Sequence, residues 1–524
     1  MAEHGFRIGA AAAAAALGLL TAQPAPSAAG AAPPHSGTAE SAGQPGVAAG
    51  SRFVPGPCPK TTPEPIEALD TARCGFLEVP ENRTRPGGRT IRLAVAVIPP
   101  ASAKPAQDPV VFMAGGPGGE VFDDIPFLVS SGLNRDRDLI VMAQRGNLYD
   151  EPNLACPEVD RFNERSVGLP SYAPQTQRLM LDAVKQCRDR LVSDGADLGA
   201  YNSVENAADF ADLRTALGIG QWNVYGHSYG SNLALNYLRL HPQGIRAVAV
   251  DSIAPSQYVS LPFAWAGAGE GLEYLYKACA AEPACKSRYP DIERTLNEQV
   301  RKLQARPLTL DVKPPQGGDP VTVVLDGGAL VNLLVAKAIP LKDVPAAIDE
   351  LGRGNPERFA RARAAGSAQV VGQSAHGLTN SVSCAEWLPD HTAADVLKAG
   401  REAFPDWPEQ VLAQAPQLAF QEQVCRVWNV PDRTATVRVP AAGSVPVLFI
   451  NGTGDMKSGA SFAQKAARDL PHATTVQIPG IGHWVVPQSP CAQKVLASFL
   501  ARPTAPDTGC VADLGWEPFT ITPK

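Results

Sequence analysis

Short apolar runs separated by polar and glycine-rich stretches dominate the pattern of this chain. Most of them are bounded by Gly, Pro or Asp, which is typical of strands buried in a parallel sheet. The runs are Thr90–Ile98, Val110–Ala114, Leu139–Ala143, Trp222–Tyr225, Arg246–Asp251, Val445–Asn451 and Thr474–Ile478. We predict a strand at each of these positions.

Helical periodicity lies between several of these runs. Apolar residues of Glu205–Leu217 recur near helical spacing, and Ser231–Leu240 continues as a helix after the run that ends at Tyr225. This alternation predicts a mostly parallel sheet with helices on both faces. Almost two hundred residues, largely helical in pattern, separate Asp251 from Val445. We expect this block to be a cap inserted between two adjacent strands.

The amino-terminal segment has a different composition. Ile8–Leu20 is apolar, follows Arg7 and is too short to span a bilayer, so we expect a secretory signal peptide at residues 1–29. A disordered alanine-rich tail is the alternative. Residues 30–57 are rich in Ala, Pro, Gly and Ser, which predicts a flexible leader. We therefore expect a secreted or periplasmic protein without stable membrane insertion.

The composition of the chain indicates which classes of partner to expect and which redox compartment the protein occupies. The 524 residues carry a net charge of −6 without a long basic run, so no nucleic-acid partner is expected. In an exported chain the ten cysteines are disulfide candidates, and nearest-neighbour pairing is the simplest of the possible connectivities. The neighbours are Cys58/Cys74, Cys156/Cys187, Cys279/Cys285, Cys384/Cys425 and Cys491/Cys510. No CxxC is present and the eight histidines are scattered, so no metal site is expected. The oligomeric state is left open.

One pentapeptide, Gly226–Gly230, follows a predicted strand and precedes a predicted helix. Its sequence GHSYG matches the GxSxG nucleophile elbow, in which a tight strand-to-helix turn strains the serine backbone. Ser228 is therefore the candidate nucleophile, and an ordinary serine in a glycine-rich turn is the alternative. His227, inside the elbow, is expected to point away from the substrate.

A serine hydroxyl needs a base to take its proton, and in this arrangement the acid and the histidine come later in the chain. Asp455 and His483 each follow a predicted strand, which gives the order Ser228, Asp455, His483. Asp251 also ends a predicted strand and is a rival for the acid. We favour Asp455 because glycines shape the turn that presents it.

An oxyanion formed at the nucleophile needs two backbone N–H donors. Tyr229, the residue after the nucleophile, is one candidate. Gly116, in the glycine cluster Gly115–Gly119, is the other, because glycines let the backbone approach a substrate closely. A phosphate-binding loop is the weaker alternative, since no Lys-Ser/Thr follows the cluster.

Several of these sequences together resemble the proline iminopeptidase and tripeptidyl aminopeptidase (TAP-like) group of α/β-hydrolases. The shared sequences are GGPGG, Gln144–Gly146 and GHSYGS, and in the cap Cys279–Cys285, Tyr289–Asp291, Ser383–Trp387 and Cys425–Trp428. The cap sequences are similar to the secreted TAP-like branch. The resemblance implies an α/β-hydrolase core at residues 58–254 and 441–524. A mainly helical cap at residues 255–440 would precede the acid-bearing strand.

The resemblance also implies an activity. It predicts a secreted serine hydrolase that needs no cofactor and releases N-terminal residues or tripeptides from peptides through an acyl-enzyme on Ser228. A carboxylesterase or amidase with the same triad is one alternative, and a binding protein that has lost catalysis is another.

The chain departs from the family pattern at three places that we expect around the pocket. Ala143 stands where the family has Asp, and the Thr-Pro pair after the acid is replaced within Met456–Gly459. The third departure is Asn147–Asp150, which follows Arg-Gly in place of Gly-Ser.

An aminopeptidase also needs carboxylates for a substrate ammonium. The cap offers Glu270, Glu273 and Glu386. Each is expected to be a solvated surface carboxylate, and none is assigned this role.

Overall fold

A nine-stranded sheet runs through the computed structural model, which describes residues 51–523 except 62, 63, 86, 259, 316 and 369–373. The predicted signal peptide at residues 1–29 lies outside the described residues. The strands of the sheet are β1 (Arg52–Pro55), β2 (Arg73–Pro80), β3 (Thr90–Ile98), β4 (Val110–Met113), β5 (Leu139–Met142), β6 (Trp222–His227), β7 (Ile245–Asp251), β10 (Val447–Gly452) and β11 (Ala473–Ile478). A separate hairpin consists of β8 (Leu308–Val312) and β9 (Val321–Leu325).

The sheet has the mostly parallel character that the apolar runs predict. Its order is β1-β2-β3-β5-β4-β6-β7-β10-β11, and the six strands from β5 to β11 in this order are parallel to their neighbours. Strands β1, β2 and β3 are antiparallel. Each of the seven predicted runs forms a strand whose ends lie within two residues of the prediction.

Alternate residues of the parallel strands point into two separate hydrophobic layers. Val224 and Val248 belong to the layer formed with the helices Ser203–Ala216 and Tyr229–Leu240. Tyr225 and Ala249, one position further along, belong to the layer on the opposite face. Successive side chains of a strand point to opposite faces, so helices must cover both sides of this sheet.

Eighteen α-helices lie within the described residues. Those of the first half are α1 (Ile125–Ser130), α2 (Pro157–Ser166), α3 (Pro174–Ser193), α4 (Ser203–Ala216), α5 (Tyr229–Leu240), α6 (Phe263–Ala281), α7 (Pro283–Arg288), α8 (Ile292–Ala305) and α9 (Gly327–Val335). Those of the second half are α10 (Val344–Gly352), α11 (Glu357–Ala365), α12 (His376–Val382), α13 (Ala393–Ala403), α14 (Glu409–Leu412), α15 (Gln421–Trp428), α16 (Thr434–Val437), α17 (Phe462–Ala466) and α18 (Pro490–Ala501).

The segment between β7 and β10 is mainly helical, as the sequence predicts. It contains α6 to α16 and the hairpin β8–β9. Much of it packs into a hydrophobic cluster of its own, with Trp265, Leu296 and Leu330 among the buried members. The long block therefore builds a second core beside that of the sheet.

The antiparallel edge of the sheet contains strands that we did not predict. Strand β1 lies inside the leader predicted for residues 30–57 and pairs with β2 from Arg52↔Glu78 to Pro55↔Gly75. The leader therefore does not extend to residue 57. An edge strand of four residues, paired on one side only, carries too few apolar residues to stand out from its surroundings.

All ten cysteines form disulfides in the nearest-neighbour arrangement. The pairs are Cys58–Cys74, Cys156–Cys187, Cys279–Cys285, Cys384–Cys425 and Cys491–Cys510. Within the residues that the structure describes, no helix has the length and apolarity that a membrane crossing requires.

Candidate active site

The turn between β6 and α5 has the strained geometry that the GHSYG sequence predicts. Ser228 adopts φ 55° and ψ −122°, a conformation that is rare for a residue other than glycine. A Cβ added at Gly226 would lie 2.3 Å from the Gly230 carbonyl oxygen, and one at Gly230 would lie 1.9 Å from that of Met113. Both glycines are therefore required for the strand and the helix to approach this closely.

The three predicted triad residues lie in one hydrogen-bonded chain. His483 Nε2 is 2.9 Å from Ser228 Oγ, and His483 Nδ1 is 2.8 Å from Asp455 Oδ2. Asp455 follows β10 and His483 follows β11, so all three come from the carboxyl ends of parallel strands. The serine hydroxyl thus contacts one imidazole nitrogen while a carboxylate holds the other, which is the arrangement of a nucleophile with an oriented general base.

The environment of Asp455 stabilises its ionised form. Its Oδ1 accepts hydrogen bonds from the backbone N–H groups of Lys457 and Ser458, each at 2.9 Å. Burial opposes ionisation, but the charge and hydrogen bond of His483 and these two donors outweigh it and lower the pKa of the Asp455 carboxyl. A carboxylate held in this way can balance the positive charge that develops on the imidazole.

Asp251, the rival for the acid, is bound elsewhere. The N–H groups of Val485 and Val486 donate to its two oxygens at 2.8 Å, and Tyr225 Oη donates to Oδ2 at 3.0 Å. These contacts tie the end of β7 to the segment just after His483. Asp251 therefore supports the backbone of the histidine loop, and Asp455 is the carboxylate that contacts the imidazole.

The glycine cluster approaches the nucleophile as expected for an oxyanion loop. Gly116 and Tyr229 line the same cavity as Ser228, and in the described part of the chain no backbone carbonyl accepts the N–H of either residue. Gly116 has φ 117°, and an added Cβ would lie 2.6 Å from the N atom of Gly119, so only glycine fits this position.

A cap helix holds the glycine cluster from outside. Thr379 Oγ1, on α12, donates to the Pro117 carbonyl at 2.7 Å, and the Ala375 N–H donates to the Gly118 carbonyl at 2.8 Å. Sequence reasoning missed this contact, because the two segments lie about 260 residues apart in the chain. The segment between β7 and β10 therefore contributes to the geometry of this loop.

The cavity above Ser228 is small and its wall is mainly apolar. Its volume is about 380 Å³. The apolar residues of the wall come chiefly from the segment between β7 and β10 and from the loop after Asp455: Phe263, Ala264, Val335, Trp387, Leu418 and Met456. Of the described residues that line it, none is Asp or Glu, and Lys457 is the only Lys or Arg. A larger cavity of about 920 Å³ lies between α6, α8 and α13. Glu270 and Glu273 line it, but none of the predicted triad and oxyanion residues does.

His227 lies beside the triad. The residue lines the cavity, and its buried ring stacks on Trp484 with centroids 4.7 Å apart and lies 5.1 Å from the His483 ring. Burial and the positive charges of His483 and Lys457 lower the pKa of His227 well below its ordinary value. His227 is therefore a neutral part of the wall beside the triad.

The three departures from the family pattern do not lie equally close to the cavity. Met456, Lys457 and Ser458 line it. Ala143 and Asn147–Asp150 do not line it, and Asn147 Nδ2 donates instead to the Gly119 carbonyl at 2.8 Å. The loop that follows Asp455 is thus the departure that shapes the substrate cavity directly.

The expectation that Glu386 is a solvated surface carboxylate is wrong. Its oxygens accept hydrogen bonds from the N–H and the Oγ of Ser203, both at 2.6 Å, and its side chain is buried. Ser203 Oγ in turn lies 2.9 Å from Tyr229 Oη. Burial raises the pKa of Glu386 to about 7. Through Ser203, this carboxyl therefore holds the side chain of Tyr229, the residue next to the nucleophile.

The other two candidate carboxylates do not line the cavity. Glu270 accepts hydrogen bonds from the N–H and the Oγ of Ser461, both at 2.7 Å. Glu273 is exposed and pairs with Lys277. Among the described residues, no three His, Cys, Asp or Glu side chains are grouped so as to hold a metal ion.

The sequence of this chain is similar to those of known hydrolases. A family model described as alpha/beta hydrolase fold matches residues 108–490, which include all three residues of the hydrogen-bonded chain. The chain is 24% identical over 488 residues to the serine protease Hip1 of Mycobacterium tuberculosis, covering 86% of this chain and 89% of that protein.

Two further likenesses are shorter or weaker. The tripeptidyl aminopeptidase of Streptomyces coelicolor is 27% identical over 203 residues, which is 36% of each chain. The crystal structure of the proline iminopeptidase of Mycobacterium smegmatis is 16% identical and covers 82% of this chain and 98% of its own, with a TM-score of 0.40. The family model and the tripeptidyl aminopeptidase relative thus confirm the resemblance inferred from GGPGG and GHSYGS.

Proposed function

The chain belongs to the alpha/beta hydrolase fold family and is a serine hydrolase, and from this premise we propose that it acts by acyl transfer through Ser228. The observation that carries the proposal is the hydrogen-bonded chain from Asp455 through His483 to Ser228, with distances of 2.8 and 2.9 Å. A nucleophile, a base and a group that orients the base are the minimum for this chemistry.

The proposed reaction has two steps. In the first, His483 Nε2 takes the proton of Ser228 while Oγ attacks the substrate carbonyl carbon, and Asp455 stabilises the imidazolium. His483 then gives that proton to the leaving amine or alcohol, which departs as the acyl-enzyme forms. In the second step His483 deprotonates a water molecule, which attacks the acyl carbon. The bond from the acyl carbon to Ser228 Oγ then breaks, the imidazolium returns its proton to Oγ, and the acid leaves.

The charge that develops on the carbonyl oxygen requires donors placed before the reaction. We assign this role to the backbone N–H groups of Gly116 and Tyr229. Their free N–H groups beside Ser228 support the assignment. Removing one such donor typically costs about 100- to 1000-fold in kcat, so the loop that presents Gly116 makes a large contribution of its own beside the triad.

A peptide substrate is the first candidate, and within it the release of tripeptides from N-termini. The names of the serine protease and tripeptidyl aminopeptidase relatives support a peptidase. If a single residue is released, the substrate ammonium lies beside the scissile carbonyl and needs a carboxylate there. If a tripeptide is released, the ammonium lies about 10 Å away, at roughly 3.4 Å per extended residue. The absence of Asp and Glu from the described cavity wall favours tripeptides.

A small ester or amide is the second candidate. The same observation supports it, because a wall that is largely apolar and lacks a carboxylate suits an uncharged acyl or alkyl group. The triad and the oxyanion donors would act in the same way on either substrate class.

The cap and the compartment complete the proposal. Residues 255–440 would form the lid over a core at residues 58–254 and 441–524, set the size of the substrate and exclude water. The five disulfides support an exported, secreted or periplasmic enzyme, because such bonds persist in oxidising compartments.

A panel of chromogenic substrates tests the proposal. It contains a tripeptidyl 4-nitroanilide with a free amine, its N-acetylated form, an aminoacyl 4-nitroanilide and a short-chain 4-nitrophenyl ester, each measured with wild type and Ser228→Ala. We expect Ser228-dependent hydrolysis, with the free tripeptidyl anilide preferred over the blocked one.

Each other outcome has a defined meaning. Equal cleavage of free and blocked anilides, with faster cleavage of the ester, favours the esterase or amidase candidate. Preference for the aminoacyl anilide contradicts tripeptide release. Hydrolysis that survives in Ser228→Ala contradicts the acyl-transfer mechanism itself.

A further inference from the structure

The charge balance of the catalytic cavity is unusual for a site that would bind an ammonium group. Its described wall contains no Asp or Glu, and Lys457 is its only Lys or Arg. The nearest carboxylate along the chain is Asp455, two residues away, which binds His483 and two backbone N–H groups. The side chains that face a bound substrate therefore present a positive charge and no fixed negative charge.

Lys457 has no partner for its ammonium group among the described residues. It forms no ion pair and no side-chain hydrogen bond there, and its side chain is half-buried. An ammonium group that is partly withdrawn from water without a counter-ion loses part of its hydration. A lysine retained at such a position is explained more simply by an anion that arrives with the substrate than by a structural ion pair.

The backbone of Lys457 is fixed on two sides. Its N–H donates to Asp455 Oδ1 at 2.9 Å, and its carbonyl oxygen lies against α6, where a Cβ added at Gly267 would be 2.6 Å away. Only the side chain is therefore free to adjust toward a ligand in the cavity. Because the triad acid anchors the same loop, the position of this side chain relative to Ser228 is set by the catalytic geometry.

The neighbouring groups compensate the charge of Lys457 only in part. Burial lowers the pKa of Lys457, and the negative charge of Asp455 opposes that effect without outweighing it. His227, which lines the same wall, has a pKa well below its ordinary value and is neutral near pH 7. During the reaction the imidazole of His483 gains a proton, which makes the cavity still more positive.

We propose that Lys457 is a specificity-determining residue that binds a carboxylate of the substrate close to the scissile carbonyl. The favoured substrates carry an acidic group either in the acyl part, as an Asp or Glu residue or a dicarboxylic acyl group does, or in the leaving group, as a short peptide with a free C-terminus does. The proposal rests on acyl transfer at Ser228. It adds the chemical class of substrate to that function.

Four matched substrates distinguish the two sources of the carboxylate. Ala-Ala-Glu and Ala-Ala-Gln 4-nitroanilides differ only by a charge in the acyl part. Tetra-alanine and its C-terminal amide differ only by a charge in the leaving group. The values of kcat/KM for each pair are measured with wild type, Lys457→Met, which keeps an unbranched apolar side chain, and Lys457→Arg, which keeps the cation.

We expect wild type to prefer the anionic member of one pair by about 10- to 100-fold, the range of a charge-assisted hydrogen bond. Lys457→Met should bring that ratio close to one, and Lys457→Arg should retain most of it. The ratio is the readout, because a general disturbance of the Asp455 loop would slow both members of a pair equally. Ratios near one in wild type for both pairs would overturn the proposal.

A second measurement keeps the proposal separate from the peptidase function. Two alkyl fluorophosphonates, one ending in a carboxylate and the other in its methyl ester, react with an active serine without any peptide bond. Faster inactivation of wild type by the carboxylate probe, lost in Lys457→Met, supports the role of Lys457 even if the peptides are not cleaved. Equal rates with both probes count against it, and no reaction with either probe means that acyl transfer at Ser228 has failed.

Discussion

Exchanging the two buried aspartates for asparagine should separate catalysis from folding. In Asp455→Asn the remaining oxygen is expected to keep the two backbone donors, Lys457 N–H and Ser458 N–H, which now bind Oδ1 at 2.9 Å. The new amide then faces His483 Nδ1 and favours the tautomer with its proton on Nε2. That nitrogen can no longer accept the Ser228 proton, so we expect kcat to fall about 10⁴-fold, or about 5 kcal/mol of transition-state stabilisation.

Asp251→Asn should act in the opposite way. Each oxygen of Asp251 accepts one backbone N–H, from Val485 or Val486 at 2.8 Å, and one hydroxyl. Either orientation of an asparagine amide sets an NH₂ group against a buried N–H. We expect the free energy of unfolding to fall by about 1–3 kcal/mol, and kcat by tenfold or less, because Asp455 still orients the imidazole.

The assay measures kcat with an activated ester and the free energy of unfolding in urea for both variants and wild type. The expected result is a crossed pattern, in which Asp455→Asn is inactive and folded and Asp251→Asn is active and less stable. If Asp251→Asn lost activity as severely as Asp455→Asn while keeping its stability, the assignment of the acid would be refuted. Near-normal activity of Asp455→Asn would refute the tautomer argument.

Three further changes test the supports of the site. Burial raises the pKa of Glu386 to about 7, above roughly 4.3 in the unfolded chain, so its contribution to stability is complete below pH 4.3 and is lost as the pH rises through 7. In wild type this loss lowers the free energy of unfolding between pH 5 and 8. In Glu386→Gln the decrease over the same range, measured by urea unfolding, should be smaller by about 2–3 kcal/mol. The same pH profile in the variant and in wild type would contradict this account of Glu386. Gly230→Ala should lower the free energy of unfolding by about 3 kcal/mol or more, because the new Cβ would lie 1.9 Å from a carbonyl oxygen of β4. Gly220→Ala is the matched control. A Cβ at Gly220 meets no other atom within 4 Å, so this variant should be nearly as stable as wild type. Thr379→Val removes the 2.7 Å hydrogen bond to the Pro117 carbonyl. It should lower kcat several-fold with little change in KM, and lower the free energy of unfolding by about 1 kcal/mol. An unchanged kcat would show that this contact does not position the loop of Gly116.

The core of the fold could be predicted because its strands are buried on both faces. Runs such as Val110–Ala114 and Leu139–Ala143 are apolar at every position, which local sequence reveals directly. The antiparallel edge could not be found in this way. In β2 only Gly75, Leu77 and Val79 alternate as buried residues, and the strand begins with an arginine. Its pairing with β3, which lies later in the chain, decides its structure.

In the candidate site, too, local sequence predicts some residues, whereas others depend on contacts between distant segments. Ser228 could be predicted because a strand, a turn and a helix within a few residues define its setting. The choice between Asp455 and Asp251 was harder, because both carboxylates end parallel strands and only the assembled fold decides which one reaches His483. Glu386 was misjudged because the Ser203 groups that bury and bind it lie 183 residues earlier in the chain. Contacts over such distances leave no local signal.

Covalent labelling of the intact protein tests the central claim, that Ser228 is the nucleophile, most directly. Wild type and Ser228→Ala are treated with an alkyl fluorophosphonate and their masses are compared, and the modified peptide is then located. We predict one phosphonyl adduct per wild-type chain, on the peptide containing Ser228, and none in Ser228→Ala. An unlabelled wild type, or an adduct that persists in Ser228→Ala, would contradict the account.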